Sequence, residues 1–242
     1  MTISKFSSEN FNDNKDILKK LKENYLNSSL SHSSIIYGEK GIGKSTFVKH
    51  FSNKIFTNFS DDMDEVKKSK HTNLILNNSH PNLMIISKLI DENTKKLKNN
   101  IIIDQIRKLE SFIYKSTIVD LPKIILIDSA DDLNVSSSNA LLKILEEPKK
   151  NTFFFLISHQ PSKLLPTIRS RCIKFKFNKP IFDEFKKILI SNNYNFKNDE
   201  EIEYLYDLSN GSPGIALELY FQDTSDILEN FIQICKDKKI LS

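Results

Sequence analysis

The stretch GEKGIGKST, Gly38 to Thr46, constrains this 242-residue chain more than any other part of it. Gly38-x-x-x-x-Gly43-Lys44-Ser45 is a complete P-loop pattern, and three of the chain's five glycines, Gly38, Gly41 and Gly43, fall inside it. Such a loop works only between a buried strand and a helix. Its glycines let backbone N–H groups curl round phosphate oxygens, and the helix that follows points its positive end at them. SSIIYG (33–38) reads as the strand. KSTFVKHFSNKIF (44–56), apolar at 47, 48, 51, 55 and 56, reads as the helix. The motif chemistry places Lys44 on the β- and γ-phosphates of ATP or ADP and the Ser45 hydroxyl on Mg²⁺. Gly38, Gly41, Gly43 and Thr46 complete the cradle.

Strands and helices alternate from there. NLMIIS (82–87), KIILID (123–128), TFFFLIS (152–158) and CIKFKF (172–177) read as four more strands. KIILID is apolar from Ile124 to Ile127, as a parallel sheet covered on both faces requires. IDQIRKLESFIYKS (103–116) and SSSNALLKILEEP (136–148) read as helices, the second stopped by Pro148. The pattern predicts a doubly wound α/β domain over 1–178 with a five-stranded parallel sheet. Residues 57–80, rich in Asn, Ser and charge, read as a loosely structured insertion. After Pro180 only helical segments follow, predicting a helical lid over 179–221 and a C-terminal helix over 222–242.

The acid that completes a magnesium site should end another buried strand, and Asp128 does so after KIILI. In hydrolysing P-loop proteins the next residue is usually a glutamate that orients the attacking water. Here it is Ser129, whose hydroxyl is a poor base at neutral pH. Asp131 and Asp132 lie further along the turn. The hydrolytic apparatus reads as incomplete.

Composition adds a second pointer. The net charge of +4 is modest, but 32 lysines stand against three arginines, Arg107, Arg169 and Arg171. In a chain that writes lysine wherever either cation serves, arginine marks places where a guanidinium fork is needed. Two of the three share the tetrapeptide RSRC. Most lysine runs read as solvated faces. Cys172 and Cys235 are too few and too far apart for a metal site or disulfide framework. His32 and His80, with no thiol or paired acid beside them in sequence, read as structural. The N-terminus has no apolar signal region and no stretch approaches a membrane span, so a cytoplasmic protein without membrane contact is expected.

LSHSSIIYGEKGIGKST, IILIDSADDLN, NALLKILEEPKKNTFFFLISHQPSKLLPTIRSRC and GSPGIALEL, in that order, resemble the clamp-loader AAA+ proteins of bacterial DNA polymerase III, over roughly residues 17–221. The resemblance implies an AAA+ P-loop fold. It implies that Arg171, in the SRC motif, projects as an arginine finger onto the γ-phosphate of a neighbour's ATP, with Arg169 as a structural or interface partner. Ser158 falls at the sensor-1 position, facing the γ-phosphate. At the sensor-2 region Gly214 and Ile215 stand where active relatives carry an arginine. Many relatives hold a four-cysteine zinc module between the first helix and second strand; 57–80 has no cysteine, so no zinc is expected there. Relatives also end in a longer helical collar, of which 222–242 would be a reduced remnant.

Three functions follow as alternatives. The first is an assembly subunit of a hetero-oligomeric clamp loader. It would work beside motor (gamma/tau-like) and delta-like subunits, donating Arg171 while a sliding clamp is loaded onto primer-template DNA in replication. The second is a self-sufficient clamp-loader ATPase, against which Ser129 and the missing sensor-2 arginine argue. The third is a small-molecule kinase, whose acceptor lid needs clustered arginines that three in the whole chain do not supply.

Overall fold

The computed structural model describes residues 11, 13–59, 64–115, 121–191, 196 and 198–221. Helix α1 (Lys15–Leu26) leads into β1 (Ser33–Tyr37), which runs through the glycine loop into α2 (Lys44–Phe56). Then come α3 (Glu65–Leu76), β2 (Leu83–Ile86), α4 (Ile103–Tyr114), β3 (Lys123–Ile127), α5 (Val135–Glu146), β4 (Thr152–Ser158), a short α6 (Pro166–Ser170) and β5 (Ile173–Lys176). Helices α7 (Phe182–Ser191), α8 (Asp199–Leu208) and α9 (Pro213–Phe221) close the described chain. The expected helix over 222–242 lies outside the described residues.

The five strands form one sheet in the order β2-β3-β4-β1-β5, with every neighbouring pair parallel. The five-stranded α/β expectation holds. β3 and β4 are buried at every position, which is why their sequences are nearly unbroken Ile, Leu and Phe. β5 lies at one edge. It turns Phe175 inward and exposes Ile173, Lys174 and Lys176, and edge lysines of this kind deter pairing with another chain.

Strand alternation splits β4 between two cores. Phe155 packs edge-on against Phe51 of α2 at 5.7 Å, and Phe153 meets Tyr25 of α1 at 6.0 Å. Phe154 and Leu156 join the opposite core with Ile106 and Leu109 of α4 and Leu141 and Leu145 of α5. Helices therefore cover both faces.

The stretch 57–80 corrects the sequence expectation, because it carries α3 rather than loose chain. Asp64 caps the helix by accepting the Val66 N–H at 3.1 Å. Ile75 is its one wholly buried residue, and polar ties do the rest. Asn53 of α2 donates to the Thr72 hydroxyl at 3.0 Å. His80 stacks on Phe56 with ring centroids 4.0 Å apart. His80 Nδ1 accepts the Asn82 N–H at 3.1 Å, so Nε2 carries the proton and donates to His71 Nδ1 at 2.9 Å. Burial pushes His80 down to about 4, keeping that tautomer neutral.

Contacts divide the chain into two compact units: 1–39 with 44–178, and 40–43 with 179–242. The second has its own core of Phe185, Leu189, Ile202, Leu205, Ala216 and Leu217. Within it the Gly214 N–H donates to the Gly41 carbonyl at 2.8 Å, and the Ser212 hydroxyl donates to that of Lys40 at 2.9 Å.

Candidate nucleotide site and exposed arginine

Parallel pairing sets the site's position. β1 and β4 are in register from Ser33↔Phe154 to Tyr37↔Ser158, and β3 joins β4 with Ile127↔Leu156. The loop after β1, the acids after β3 and the polar end of β4 therefore emerge side by side at the carboxyl edge of the sheet. Open parallel sheets place their ligands there. Gly41 (φ +77°) and Gly43 (φ +96°) hold left-handed backbone that a side chain would strain.

Lys44 opens α2 and is only 3% exposed. Its ammonium donates to the Gly38 carbonyl at 2.8 Å and also to that of Glu39. Burial pushes it down to about 8, against the opposing pull of Asp128, Asp131 and Glu39. A buried ammonium held at the start of the glycine loop suits a polyphosphate. Ser45 follows on the first turn of α2 and Asp128 follows β3. Hydroxyl and carboxylate are the hard oxygen donors Mg²⁺ takes beside a nucleotide, so the donor set fits that ion.

The three acids after β3 have separate fates. Asp132 forms an ion pair with Lys88 at 3.2 Å. Asp131 turns inward and is fully engaged. One oxygen accepts the Ser158 hydroxyl at 2.7 Å; the other accepts the His159 N–H, the Gln160 N–H at 3.4 Å and the Ser129 hydroxyl at 3.1 Å. Asp128 is left facing the Lys44 charge. Ser158 itself is fully buried, its hydroxyl directed at Asp131.

His159 is a residue the sequence reading passed over. It follows β4 directly, and its Nδ1 is buried without a hydrogen-bond partner among the described residues. Burial and then the Lys44 charge lower its pKa, while Asp131, Asp128 and a hydrogen bond to the Gly38 backbone oppose them. Its one sequence signal was adjacency to Ser158. His32, by contrast, is held away from the loop: its Nδ1 lies 3.0 Å from the Thr152 carbonyl and its ring stacks on Phe153.

Arg171 is elsewhere. It ends α6 and precedes β5, whose Ile173 is in register with Ser34 near the start of β1. It therefore lies at the amino edge of the sheet, the length of β1 away from Lys44, roughly 16 Å at about 3.3 Å per residue. There it borders an open depression of about 570 Å³ together with His32, Glu146 and Pro148. Arg169, two residues earlier, has a buried Nε with no partner among the described residues.

Sheet order, P-loop and the acid-ended β3 define a member of the AAA+ class of P-loop nucleotide-binding folds. A solved gamma subunit-related protein of DNA polymerase III from Thermotoga maritima matches 88% of this chain and 75% of its own at TM-score 0.51, with 17% identity. The family described as "DNA polymerase III, delta subunit" matches residues 13–181, and the chain belongs to that family. It is similar to the DNA polymerase III subunit delta' of Pseudomonas aeruginosa, 34% identical over 60% of this chain and 42% of the relative. It is also similar to that of Escherichia coli, 26% identical over 89% and 62%. The chain thus spans about half the length of the curated relatives it matches.

Proposed function

We propose that this chain is a delta-prime-like clamp-loader subunit that holds a nucleotide without turning it over and lends Arg171 to a neighbour. Lys44, Ser45 and Asp128 would bind ATP or ADP with Mg²⁺, the loop glycines and Thr46 lining the cradle. Arg171 would reach the γ-phosphate on an adjoining motor subunit, and the assembled complex would load a sliding clamp onto primed DNA. The observation that carries this is the placement of Arg171 at the sheet edge opposite its own P-loop. A side chain there does not reach Lys44, so any nucleotide phosphate it meets belongs to another molecule. An arginine supplied across a boundary stabilises the charge that spreads over the transferring phosphoryl group.

The holding role is supported by the acids. In hydrolysing relatives the attacking water is usually oriented by a free carboxylate beside the γ-phosphate. Ser129 stands next to Asp128, Asp131 is taken up by four donors, and Asp132 is paired with Lys88. Asp128 remains, with Ser45, to hold a magnesium ion, which would offset phosphate charge there.

Isothermal titration of the protein with Mg-ATP and Mg-ADP tests the holding half. Binding should be measurable in the parent and lost in Lys44→Ala. Equal binding by both proteins would remove the P-loop from the account.

A further inference from the structure

Both ends of the Arg171 fork are occupied. Nη1 donates back to the Thr167 carbonyl at 3.0 Å, four residues earlier in the chain. Nη2 donates to Glu146 Oε1 at 2.8 Å. Glu146 is the last residue of α5. A carboxylate there lies against the negative end of a helix dipole, so a cation beside it relieves the repulsion. We propose that Glu146 is a positioning residue that holds the Arg171 guanidinium on its own subunit and competes for it with the neighbouring nucleotide's phosphate. The inference rests on the finger reading above and deepens it by naming what regulates delivery of the arginine.

The competition follows from guanidinium geometry. A bidentate grip on phosphate uses two parallel N–H groups of the planar fork. Each terminal nitrogen spends one of its two N–H groups here, and the two bonds hold the side chain folded back on its own subunit, so extending the fork to a neighbour's phosphate means leaving Thr167, Glu146 or both. Thr167 offers a neutral carbonyl that water can satisfy instead. Glu146 carries a full charge and is the stronger rival. The two side chains are 37% and 43% exposed, so solvent screens the pair and its hold is weak enough to break on assembly. Arg171 also curls back along its own helix, the reverse of the extended reach that crossing a subunit boundary requires.

The pair can be tested alone and in the assembly. With three arginines in the chain, the side-chain ¹⁵N spectrum of the isolated protein is readable. Arg171 Nη signals should exchange more slowly in the parent than in Glu146→Gln. In the complex reconstituted with its cognate motor subunits, clamp and primed DNA, Glu146→Gln should raise kcat/KM for ATP by up to about fivefold, the scale of an exposed ion pair. Glu146→Asp, which keeps the charge, should stay closer to the parent. A merely structural role at an exposed helix end would lower activity or leave it unchanged. Either of those results for Glu146→Gln overturns the proposal. Arg171→Ala in the same assay separates the two readings. If it leaves turnover intact, the finger reading fails and the proposal fails with it. If it cuts turnover while Glu146→Gln changes nothing, the proposal alone is wrong.

Discussion

Replacing Asp131 should damage the protein far more than its place in a polar turn suggests. Its carboxylate accepts a buried hydroxyl, two backbone N–H groups and a second hydroxyl. In Asp131→Ala the Ser158 hydroxyl, fully buried, loses its acceptor, and the His159 N–H loses one too. Each orphaned buried donor costs about 1–3 kcal/mol. The hydroxyl of Ser129 is able to rotate, and Gln160 is exposed, so neither adds much. The expected loss is about 3–5 kcal/mol, against a total domain stability of about 5–15 kcal/mol. Asp131→Asn keeps an oxygen for the backbone and lets Ser158 reverse its hydroxyl; it should cost about 1 kcal/mol. Ser158→Ala leaves Asp131 its other donors and should also cost about 1 kcal/mol. Urea unfolding at pH 7.5, with slopes checked to be parallel, measures all three. A loss below about 0.5 kcal/mol for Asp131→Ala, the level of an ordinary surface change, would refute the anchor role and return Asp131 to the list of possible bases.

His50, 3% exposed with neither ring nitrogen paired among the described residues, should make stability pH-dependent. Burial, aided by the Lys54 charge, pushes it down to about 4. Below pH 6.5 the unfolded chain takes a proton that the folded chain refuses, so stability is full above 6.5 and falls as pH drops toward 4. The share lost between pH 7 and pH 5 is about 2 kcal/mol, and His50→Leu should remove that share of the pH dependence of the unfolding free energy measured with urea. His80→Ala should cost about 2–3 kcal/mol at pH 7, losing the stack on Phe56 and orphaning the buried Asn82 N–H; thermal unfolding checks it.

The sheet was legible because β3 and β4 are buried on both faces, which leaves long apolar runs in the sequence. The P-loop was legible because its chemistry is local: glycines, lysine and serine at fixed offsets. α3 was not, because a helix that wholly buries only Ile75 shows no apolar period. It is held by Asn53, Phe56 and His80, residues outside it. The role of Asp131 was hidden for the same reason, since Ser158 and His159 lie 27 and 28 residues downstream. Arg171 stood out as a rare guanidinium, yet its partner Glu146, 25 residues earlier, belongs to a motif that reads as a plain helix end.

The most direct test is ATP hydrolysis by the assembled complex, stimulated by clamp and primed DNA, with Arg171 replaced. A finger contributes on the order of 10³–10⁵ in rate at the site it serves, so Arg171→Ala should silence one site and remove a clear share of whole-complex turnover. Arg171→Lys should restore little, because a point charge does not reproduce the fork. The isolated chain should show negligible turnover in the same assay. Full activity of the complex with Arg171→Ala, or robust hydrolysis by the chain alone, would contradict the account.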